Sequence, residues 1–522
     1  MKKIVRILSL CVLVYSLNSC TEEAILDLTP INNISIDDAF STPSLIESSM
    51  NGVYNAAAIG QYNSTNPNGG RGYVWGAAFI QQGDCRGEDV VNTATFYQAT
   101  YTATYDTTTA NNVYFWGDGY RLINRCNLMI EGVNTAVASG IISQAVADNY
   151  IGQSKFLRAI THFELLTHFA NTYNATPGAS HMGIPYREIG VDTQEEIDIV
   201  ILKGRNTVAD CYSKIIADLD DAELLITNTE LTKASKNAAI AYKTKVYLHK
   251  RDWDNVIVEG NKLTSYSLGT NDPEIAFDSP YGNTESIFSI LHVATNNPGV
   301  NAALASQYNR RRLVCISPII WRETSWLNDD KRRSDNSTST DSGTGMVFTF
   351  SGRKYTNKYR DGVTYTDPAP VIRYAEVALN MAEAYARKTA TDLPNALAKL
   401  NEVRNRALAD VTTQAYTSAS FTTPTTMVEA ILKERRIEFV MEGKRWGDIN
   451  RLQGDNLQPI NGIPAKVANG NPAASTFTLG TPYTGALGVP SIPVTDLRFL
   501  WPIPQVEINN NPTLATQQNP GW

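Results

Sequence analysis

The chain has 522 residues, of which 43% are hydrophobic, and it carries a formal net charge of −7. This length and apolar content suffice for a large globular fold of one to three domains. The acidic balance argues against a nucleic-acid-binding protein, which needs a basic face, and against membrane attachment through a polybasic patch.

The first 23 residues have the pattern of an export signal. A basic start at residues 2–6 leads into an apolar run at 7–17 and then Ser19 and Cys20. This is the pattern of a secretory leader, and the run is shorter than the ~20 residues that span a bilayer. A cysteine at the cut resembles the bacterial lipoprotein signal, so we predict that residues 1–19 are removed and that Cys20 carries lipids. The acidic pair Glu22 and Glu23 resembles a surface-export signal of Bacteroidetes lipoproteins; the alternative is a secreted protein in which Cys20 is incidental.

Helical periodicity dominates the rest of the chain, which predicts a mostly α fold. Predicted helices cover residues 42–58, 112–133, 143–169, 208–226, 238–249, 252–266, 370–388, 394–409 and 424–442. The helices within about 143–266 and 370–442 form pairs of the size of tetratricopeptide units, ~34 residues each. A scaffold of such pairs offers a docking surface and seldom supplies catalysis by itself.

Long loop-rich insertions separate the predicted helices. They cover about 61–106, 272–366 and 454–491, and a few short strands are expected, one at 347–350. Loops of this length inside a compact domain are usually functional or disordered. We therefore predict that ligand-binding residues lie at about 61–106 and 272–366.

Two of these loop regions combine aromatic, amide and charged side chains. Aromatic rings bury the apolar face of a sugar ring, while carboxylates and guanidinium groups bond its hydroxyls. The predicted platforms are Trp75, Trp321 and Trp326. The predicted helpers are Tyr73, Asp84, Arg86 and Tyr281. The alternative is that these aromatic residues hold their own loops against the core.

The sequence shows no pattern of a metal centre. Cys85, Cys126, Cys211 and Cys315 match no zinc spacing, and their disulfide state stays open. No HExxH, phosphate loop or GxSxG motif occurs. We predict no cofactor, although oxygens near Asp361 or in 278–284 could hold calcium without an EF-hand spacing.

A row of carboxylates invites comparison with a hydrolase. Glu434, Glu438 and Glu442 are four residues apart and share one helix face. Arg435, Arg436, Lys444 and Arg445 lie close enough in sequence to neutralise them. An arginine partner lowers a carboxyl pKa, whereas the general acid of a glycosidase needs a raised pKa. We predict a structural ion network in which Arg435 is partly buried and paired.

Motifs along nearly the whole chain resemble the SusD/RagB family of outer-membrane nutrient-binding lipoproteins. They are LDLTP at 26–30, DAF at 38–40, NGVY at 51–54, KFLRA at 155–159, GIP at 183–185, RYAE at 373–376, AEA at 382–384, LNEVRNRA at 400–407, ERR at 434–436, EGKRWGD at 442–448, LWPIP at 500–504 and NPGW at 519–522. Each motif is weak alone, whereas all of them in this order are specific.

The resemblance implies one SusD-like domain at 20–522 that binds ligand without catalysis. Such proteins hold an oligosaccharide or other nutrient at the cell surface and pass it to a SusC-like TonB-dependent transporter. The expected place is the outer membrane, facing outward, with the lipid on Cys20 as attachment. Ligand loops then lie away from the helical scaffold, which faces the transporter. The alternatives are a surface glycan hydrolase and a structural adaptor of the transporter that binds no ligand.

Overall fold

The structure is a computed structural model that describes residues 36–60, 70–335 and 345–522. It is mostly helical with short two-stranded sheets, which confirms the predicted fold class. The predicted leader and Cys20 lie outside the described residues. Within those ranges, no helix combines the length and apolar character needed to cross a membrane.

Nineteen α-helices occur in the described ranges. They are α1 (Ile36–Ala39), α2 (Pro43–Ala58), α3 (Ala77–Cys85), α4 (Gln98–Thr102), α5 (Ala110–Ala138), α6 (Gln144–Phe169), α7 (Gln194–Val200), α8 (Val208–Leu225), α9 (Lys236–Lys250), α10 (Trp253–Gly260), α11 (Ile275–Asp278), α12 (Pro318–Trp321), α13 (Tyr374–Arg387), α14 (Leu393–Asn405), α15 (Val411–Gln414), α16 (Pro424–Glu438), α17 (Arg445–Arg451), α18 (Gln505–Asn510) and α19 (Pro512–Ala515).

The strands form four antiparallel pairs, β1 with β3, β2 with β6, β4 with β5 and β7 with β8. They are β1 (Val90–Asn92), β2 (Ser286–Ile290), β3 (Val314–Ile316), β4 (Val347–Phe350), β5 (Arg353–Thr356), β6 (Ala369–Arg373), β7 (Gly462–Ile463) and β8 (Ile492–Pro493). The strand predicted at 347–350 is thereby confirmed as β4.

Local sequence explains where the scaffold helices begin. Ser143 accepts a hydrogen bond from the Val146 N–H at the start of α6, and Ser235 does the same from the Ala238 N–H in α9. Such side chains satisfy backbone donors that the first helical turn leaves open. Between α9 and α10 the chain turns at Arg251, whose φ is 64°, so the predicted break at 250–251 is confirmed.

Some predicted helix limits were wrong. The helix expected from residue 370 begins at Tyr374, because residues 369–373 form strand β6 against β2. The helix expected over 252–266 ends at Gly260. Helix α3 lies inside a region predicted as loop; its burial on almost all sides removes the amphipathic period that marks a surface helix.

The scaffold is a continuous series of packed helices. Helix α6 packs against α5 and α8, α8 packs against α9, and α9 packs against α10. The series continues because α10 packs against α13, which in turn contacts α14 and α16. The helices of the two predicted pair regions therefore contact each other directly, and the large loops project from this series.

Candidate functional site

Two of the predicted loop regions are joined by a small sheet. Strand β1 pairs with β3 so that Val91 lies opposite Cys315 and Asn92 opposite Val314. The pairing extends past the strand, where the Thr93 N–H donates to the Leu313 carbonyl at 2.9 Å. Segments of 61–106 and 272–366 thus belong to one buried sheet although more than 200 residues separate them in sequence.

The third loop region joins the same sheet. The Gly470 N–H donates to the Asn92 carbonyl at 2.8 Å. Further along, Trp321 Nε1 donates to the Phe477 carbonyl at 3.1 Å and Arg353 Nε to the Pro472 carbonyl at 2.8 Å. We call the surface formed by residues 90–96, 310–316, 347–356 and 469–481 the three-loop face.

An exposed aromatic ring stands on the three-loop face. Phe350 is 46% exposed at the end of β4, and the guanidinium of Arg312 lies 4.0 Å from its ring centroid. Arg312 is tied to the sheet because its carbonyl accepts a hydrogen bond from Thr93 Oγ1 at 2.9 Å. An open aromatic ring beside a cation provides both an apolar platform and hydrogen-bond donors for a polar ligand.

A second pair of an arginine and a phenylalanine lies in the first predicted ligand region. The guanidinium of Arg71 is 4.4 Å from the ring centroid of Phe96, and Phe96 is half-buried. Phe96 follows Thr93, which bonds Arg312, by three residues. The two predicted ligand regions therefore each contribute a phenylalanine of the three-loop face, Phe96 and Phe350, that is covered by an arginine.

Tyr73 and Trp75, predicted as ligand residues, lie in the core. The Tyr73 hydroxyl donates to Asn111 Oδ1 at 3.0 Å, and Trp75 Nε1 donates to Thr161 Oγ1 at 3.1 Å. The Trp75 ring packs against Phe79 and against Tyr242, whose ring centroid is 6.3 Å away. Both side chains hold the first loop region against the scaffold in this structure.

Asp84 and Arg86 are also buried, and each has its own partners. Asp84 accepts hydrogen bonds from the Tyr308 hydroxyl and from the Gly443 N–H at 2.8 Å. Burial raises the pKa of Asp84 to about 7. The guanidinium of Arg86 lies 3.3 Å from the Trp446 ring centroid, and Nη2 donates to a backbone carbonyl.

Trp321 and Trp326 are the two predicted platforms that the structure brings together. Their ring centroids are 5.3 Å apart in an edge-on arrangement, and both residues are buried. The last predicted residue, Tyr281, is 51% exposed. Of the seven predicted residues, only Tyr281 presents a large surface in this conformation, so a ligand role for the other six stays a prediction.

The sequence contains a signal for the exposure of Phe350 that our prediction did not use. The strand 347–350 was predicted, and Ser351 and Gly352 follow it. Both have positive φ, 49° and 75°, as the two-residue turn of a hairpin requires. A phenylalanine beside such a turn lies at the tip of a hairpin, where exposure is expected. The presence of a tryptophan in a loop region, by contrast, does not tell whether its side chain is exposed.

The predicted ion network exists, with different partners. Glu438 accepts hydrogen bonds from Arg373 at 2.7 Å and Arg406 at 2.6 Å through Oε1, and from Arg332 at 2.9 Å through Oε2. Burial raises the pKa of Glu438, but the three guanidinium groups outweigh burial and hold that pKa well below its usual value. This is opposite to what a glycosidase acid needs.

The cations predicted to neutralise this row pair elsewhere. Arg435 is buried and bonds Asp448 at 3.2 Å and Asn380 at 2.7 Å, which confirms that it is buried and paired. Arg436 bonds Asp89, and Lys444 lies 2.9 Å from Glu376. Neighbours in sequence on a helix point to different sides, so the row of glutamates meets cations from distant segments instead.

The described ranges contain no group of three or more histidine, cysteine, aspartate or glutamate side chains arranged to hold a metal ion. Asp361, considered for calcium, accepts hydrogen bonds from the backbone N–H groups of Val363, Thr364 and Thr366. Cys85, Cys126, Cys211 and Cys315 are buried free thiols, as packing of small apolar side chains would place them.

Comparison with known families covers most of the chain. The model described as "SusD family" matches residues 320–522, and the model described as "Starch-binding associating with outer membrane" matches residues 26–248. The chain belongs to the SusD family. The two matched ranges include most of the helical scaffold of this SusD-like chain, without α10, and parts of all three loop regions.

Known proteins resemble this SusD family member in sequence or in fold. The "SusD-like protein P2" of Formosa agariphila is 26% identical over 394 residues, which is 67% of this chain and 73% of that protein. A SusD superfamily protein from Bacteroides fragilis superposes with a TM-score of 0.73 at 27% identity, covering 91% of this chain and 99% of that one. A "SusD-like carbohydrate binding protein" from Bacteroides vulgatus shares the fold, with a TM-score of 0.69, 19% identity and coverage of 90% and 97%.

Proposed function

We propose that this protein is a cell-surface glycan-binding lipoprotein that captures its ligand on the three-loop face. It then delivers the ligand to a SusC-like TonB-dependent transporter of the outer membrane. The observation that carries the proposal is Phe350, an exposed ring beside Arg312 where all three loop regions meet. The lipid on Cys20 holds the protein at the membrane.

Family and relatives support the class of ligand. One matching family model is described as starch-binding and associated with the outer membrane, and a structural neighbour is named a carbohydrate-binding protein. The three-loop face has the chemistry for such a ligand. The ring of Phe350 covers the C–H face of a sugar, and Arg312 donates to hydroxyl oxygens.

The proposed mechanism contains no catalytic step. The ion network gives each of its buried glutamates cationic partners, and Asp84, whose pKa is raised, is bonded and buried. In the proposed mechanism, the binding energy therefore holds the ligand and does not accelerate a reaction. Transfer to the transporter requires release, so moderate affinity is expected for single oligosaccharides.

Isothermal titration against a panel of neutral and acidic oligosaccharides and peptides tests the binding function. We expect heat from one glycan class, with no cleavage products in the same samples. Phe350→Ala should weaken that binding at least tenfold. Leu224→Ala is the matched control, because Leu224 is also an exposed apolar residue, at 80%, but lies on scaffold helix α8.

The outcomes separate the proposal from its rivals. Cleaved products would identify a hydrolase, and a peptide-only response would replace the glycan by another nutrient. Heat that is insensitive to Phe350→Ala would move the site away from the three-loop face. No heat of binding with any compound of the panel would favour a structural adaptor of the transporter that binds no ligand.

Delivery to a transporter is tested separately. We expect the native lipoprotein, solubilised from outer membranes in mild detergent, to copurify with a TonB-dependent transporter in stoichiometric amount. Recovery of the protein alone under conditions that preserve other outer-membrane complexes would contradict this part of the proposal and leave glycan binding intact.

A further inference from the structure

A cavity borders the three-loop face. It has a volume of about 210 Å³ and lies between the segment after α12 and residues 479–480. The residues that matter for its chemistry are Arg322, Glu323, Trp326 and Arg333. At ~30 Å³ per water molecule in the liquid, the volume of about 210 Å³ corresponds to about seven waters, which is enough space for one sugar ring.

Arg333 brings a buried positive charge to this cavity. Its guanidinium lies 4.4 Å and 4.2 Å from the ring centroids of Trp321 and Trp326. Nε donates to the Leu327 carbonyl at 2.9 Å and Nη2 to the Trp326 carbonyl at 2.8 Å. Nη1 is buried and has no acceptor in the part of the chain that the structure describes.

Arg333 also makes no close ion pair in the described ranges, and the charge of Asp330 acts on it only from beyond 4.0 Å. Within the described ranges, neither Arg333 nor Arg322 has a carboxylate oxygen within 4.0 Å, whereas Arg332, the neighbour of Arg333, contacts three acidic residues. Burial lowers the pKa of Arg333 to about 10, so the group remains charged at neutral pH. A buried charge without a partner is costly, and a ligand that brings the opposite charge removes that cost.

Two further side chains of the cavity, Trp326 and Arg322, are hydrogen-bond donors. Trp326 is 2% exposed, and its Nε1 has no acceptor among the described residues. Arg322 bonds Thr481 through two nitrogens and remains cationic at the rim. Glu323 is directed to its own loop, since its Oε1 accepts hydrogen bonds from the Ser325 N–H and Oγ at 3.2 Å.

We propose that this cavity is a subsite for one anionic sugar residue, carrying a carboxylate or a sulfate, within a longer oligosaccharide. The anion pairs with Arg333 and Arg322, and the indole N–H of Trp326 donates to a ring or hydroxyl oxygen. Charge-assisted hydrogen bonds of this kind are about twice as strong as neutral ones. The inference rests on the proposed function of glycan capture and names the ligand class.

Neutral sugars fit this cavity less well. A hydroxyl group can accept from Nη1 but leaves the charge of Arg333 without a counterion. A cationic sugar would add a further positive charge beside two guanidinium groups. The subsite thus selects by charge, whereas the exposed Phe350 platform on the three-loop face selects by ring shape.

The test compares one oligosaccharide in two charge states. Titration of the purified protein uses tetragalacturonate, its fully methyl-esterified form, and a sulfated tetrasaccharide of carrageenan. We expect the acid to bind at least tenfold more tightly than its ester. The sulfated probe distinguishes the source of the negative charge, carboxylate or sulfate.

Two variants place the preference at the cavity. Arg333→Gln should reduce the ratio of acid to ester affinity to near one. Trp326→Phe keeps a ring and removes only the indole donor, so it should weaken acid binding by a smaller factor. Arg498→Gln is the matched control, because it makes the same charge change at a residue paired with Asp496.

Each outcome decides the question. Equal affinity for acid and ester, or a preference that survives Arg333→Gln, overturns the subsite. Binding of neutral glycans alone overturns the subsite and leaves the proposed function standing, whereas binding of no saccharide overturns both. If Arg333→Gln does not fold, as its melting curve will show, the ratio measured for Arg322→Gln decides, because Arg322 is the second cation that pairs with the anion and lies at the rim of the cavity.

Discussion

Gly83 and Gly443 touch backbone to backbone, which joins helix α3 to the segment between α16 and α17. A Cβ on Gly83 would lie 2.2 Å from the carbonyl oxygen of Gly443. Gly443 itself has a φ of 74°. The same contact brings the Gly443 N–H to Asp84 Oδ1 at 2.8 Å, so the first loop region is fastened to the C-terminal half of the chain here.

Substitution of Gly83 by alanine tests this contact. Alanine in a helix normally stabilises by ~0.5–1 kcal/mol relative to glycine. At Gly83 the added methyl group meets backbone, and overpacking of this kind costs ~1–3 kcal/mol. We expect Gly83→Ala to lower the free energy of unfolding in urea, and Gly117→Ala in α5, where a Cβ meets nothing within 4 Å, to leave it unchanged or raise it. Equal effects at both positions would contradict the close approach.

Glu438 should be the most sensitive carboxylate of the ion network. It bonds three guanidinium groups, so Glu438→Gln leaves three buried cations with one carboxylate fewer among them. Breaking a buried pair in this way costs ~3–5 kcal/mol. Glu429→Gln is the control, because the side chain of Glu429 is 49% exposed and its pair with Lys433 lies at the surface. Denaturant unfolding measures both, and a loss below that of the control would show that the network contributes little.

The lowered pKa of Lys466 predicts that the free energy of unfolding depends on pH. It is buried, donates to the Cys85 carbonyl at 2.7 Å, and has no carboxylate within 4.0 Å in the described ranges. Burial lowers the pKa of Lys466 from 10.5 to about 7. Between these two values the unfolded chain binds a proton that the folded chain does not, so the free energy of unfolding rises with pH across this window.

The variant Lys466→Met should remove this contribution. We expect it to be more stable relative to the wild type at pH 7 than at pH 10, because the penalty is full below pH 7 and disappears as the unfolded lysine loses its proton. The cost of losing the hydrogen bond to Cys85 is the same at every pH, so it shifts the whole curve of unfolding free energy against pH by a constant amount. Thermal or urea unfolding at several pH values measures the difference, and parallel curves would contradict the lowered pKa.

A substitution of Trp75 distinguishes a role in the core from a role in ligand binding. The structure buries its ring against Phe79 and Tyr242 and bonds Nε1 to Thr161. Trp75→Phe should therefore lower the melting temperature while the glycan affinity of the folded protein changes less than twofold. A variant with unchanged melting temperature and lost binding would instead return Trp75 to the ligand site, as predicted from the sequence.

The lipid attachment is tested at Cys20. Cys20→Ser removes the thiol that lipidation requires, so we expect the protein to leave the membrane fraction and appear in a soluble one. Metabolic labelling with a fatty acid should mark the wild type only. The reverse result, an unlabelled wild type, would favour a secreted protein in which Cys20 is incidental.

The scaffold could be predicted because its information is local. Apolar residues recur at helical spacing in α6, α8 and α9, and capping residues such as Ser143 and Thr207 mark their starts. The helix expected from residue 370 failed at its first turn, because the preference of proline for helix starts competed with pairing between β6 and β2. That pairing depends on a strand about 80 residues earlier, which no local pattern contains.

The candidate site could be predicted only as a set of regions. Both loop regions named from composition do meet, but the register that joins them, Val91 opposite Cys315, is a long-range property. Composition also cannot tell a tryptophan that covers the core from one that covers a ligand, since both need an aromatic ring. The ion network shows the same limit, because Glu438 and its partners were assigned by sequence distance while Arg332, Arg373 and Arg406 arrive from other segments.

The strand pairing between β1 and β3 has a consequence for the order in which the chain acquires structure. A chain made from its N-terminus folds early segments first where it can, but β1 waits for residues 314–316, Gly83 for Gly443 and Arg86 for Trp446 and Trp501. The first loop region therefore completes its contacts only when the C-terminal segments are available. Under the proposed export of this chain, that order keeps the first loop region open while the rest of the polypeptide passes the membrane.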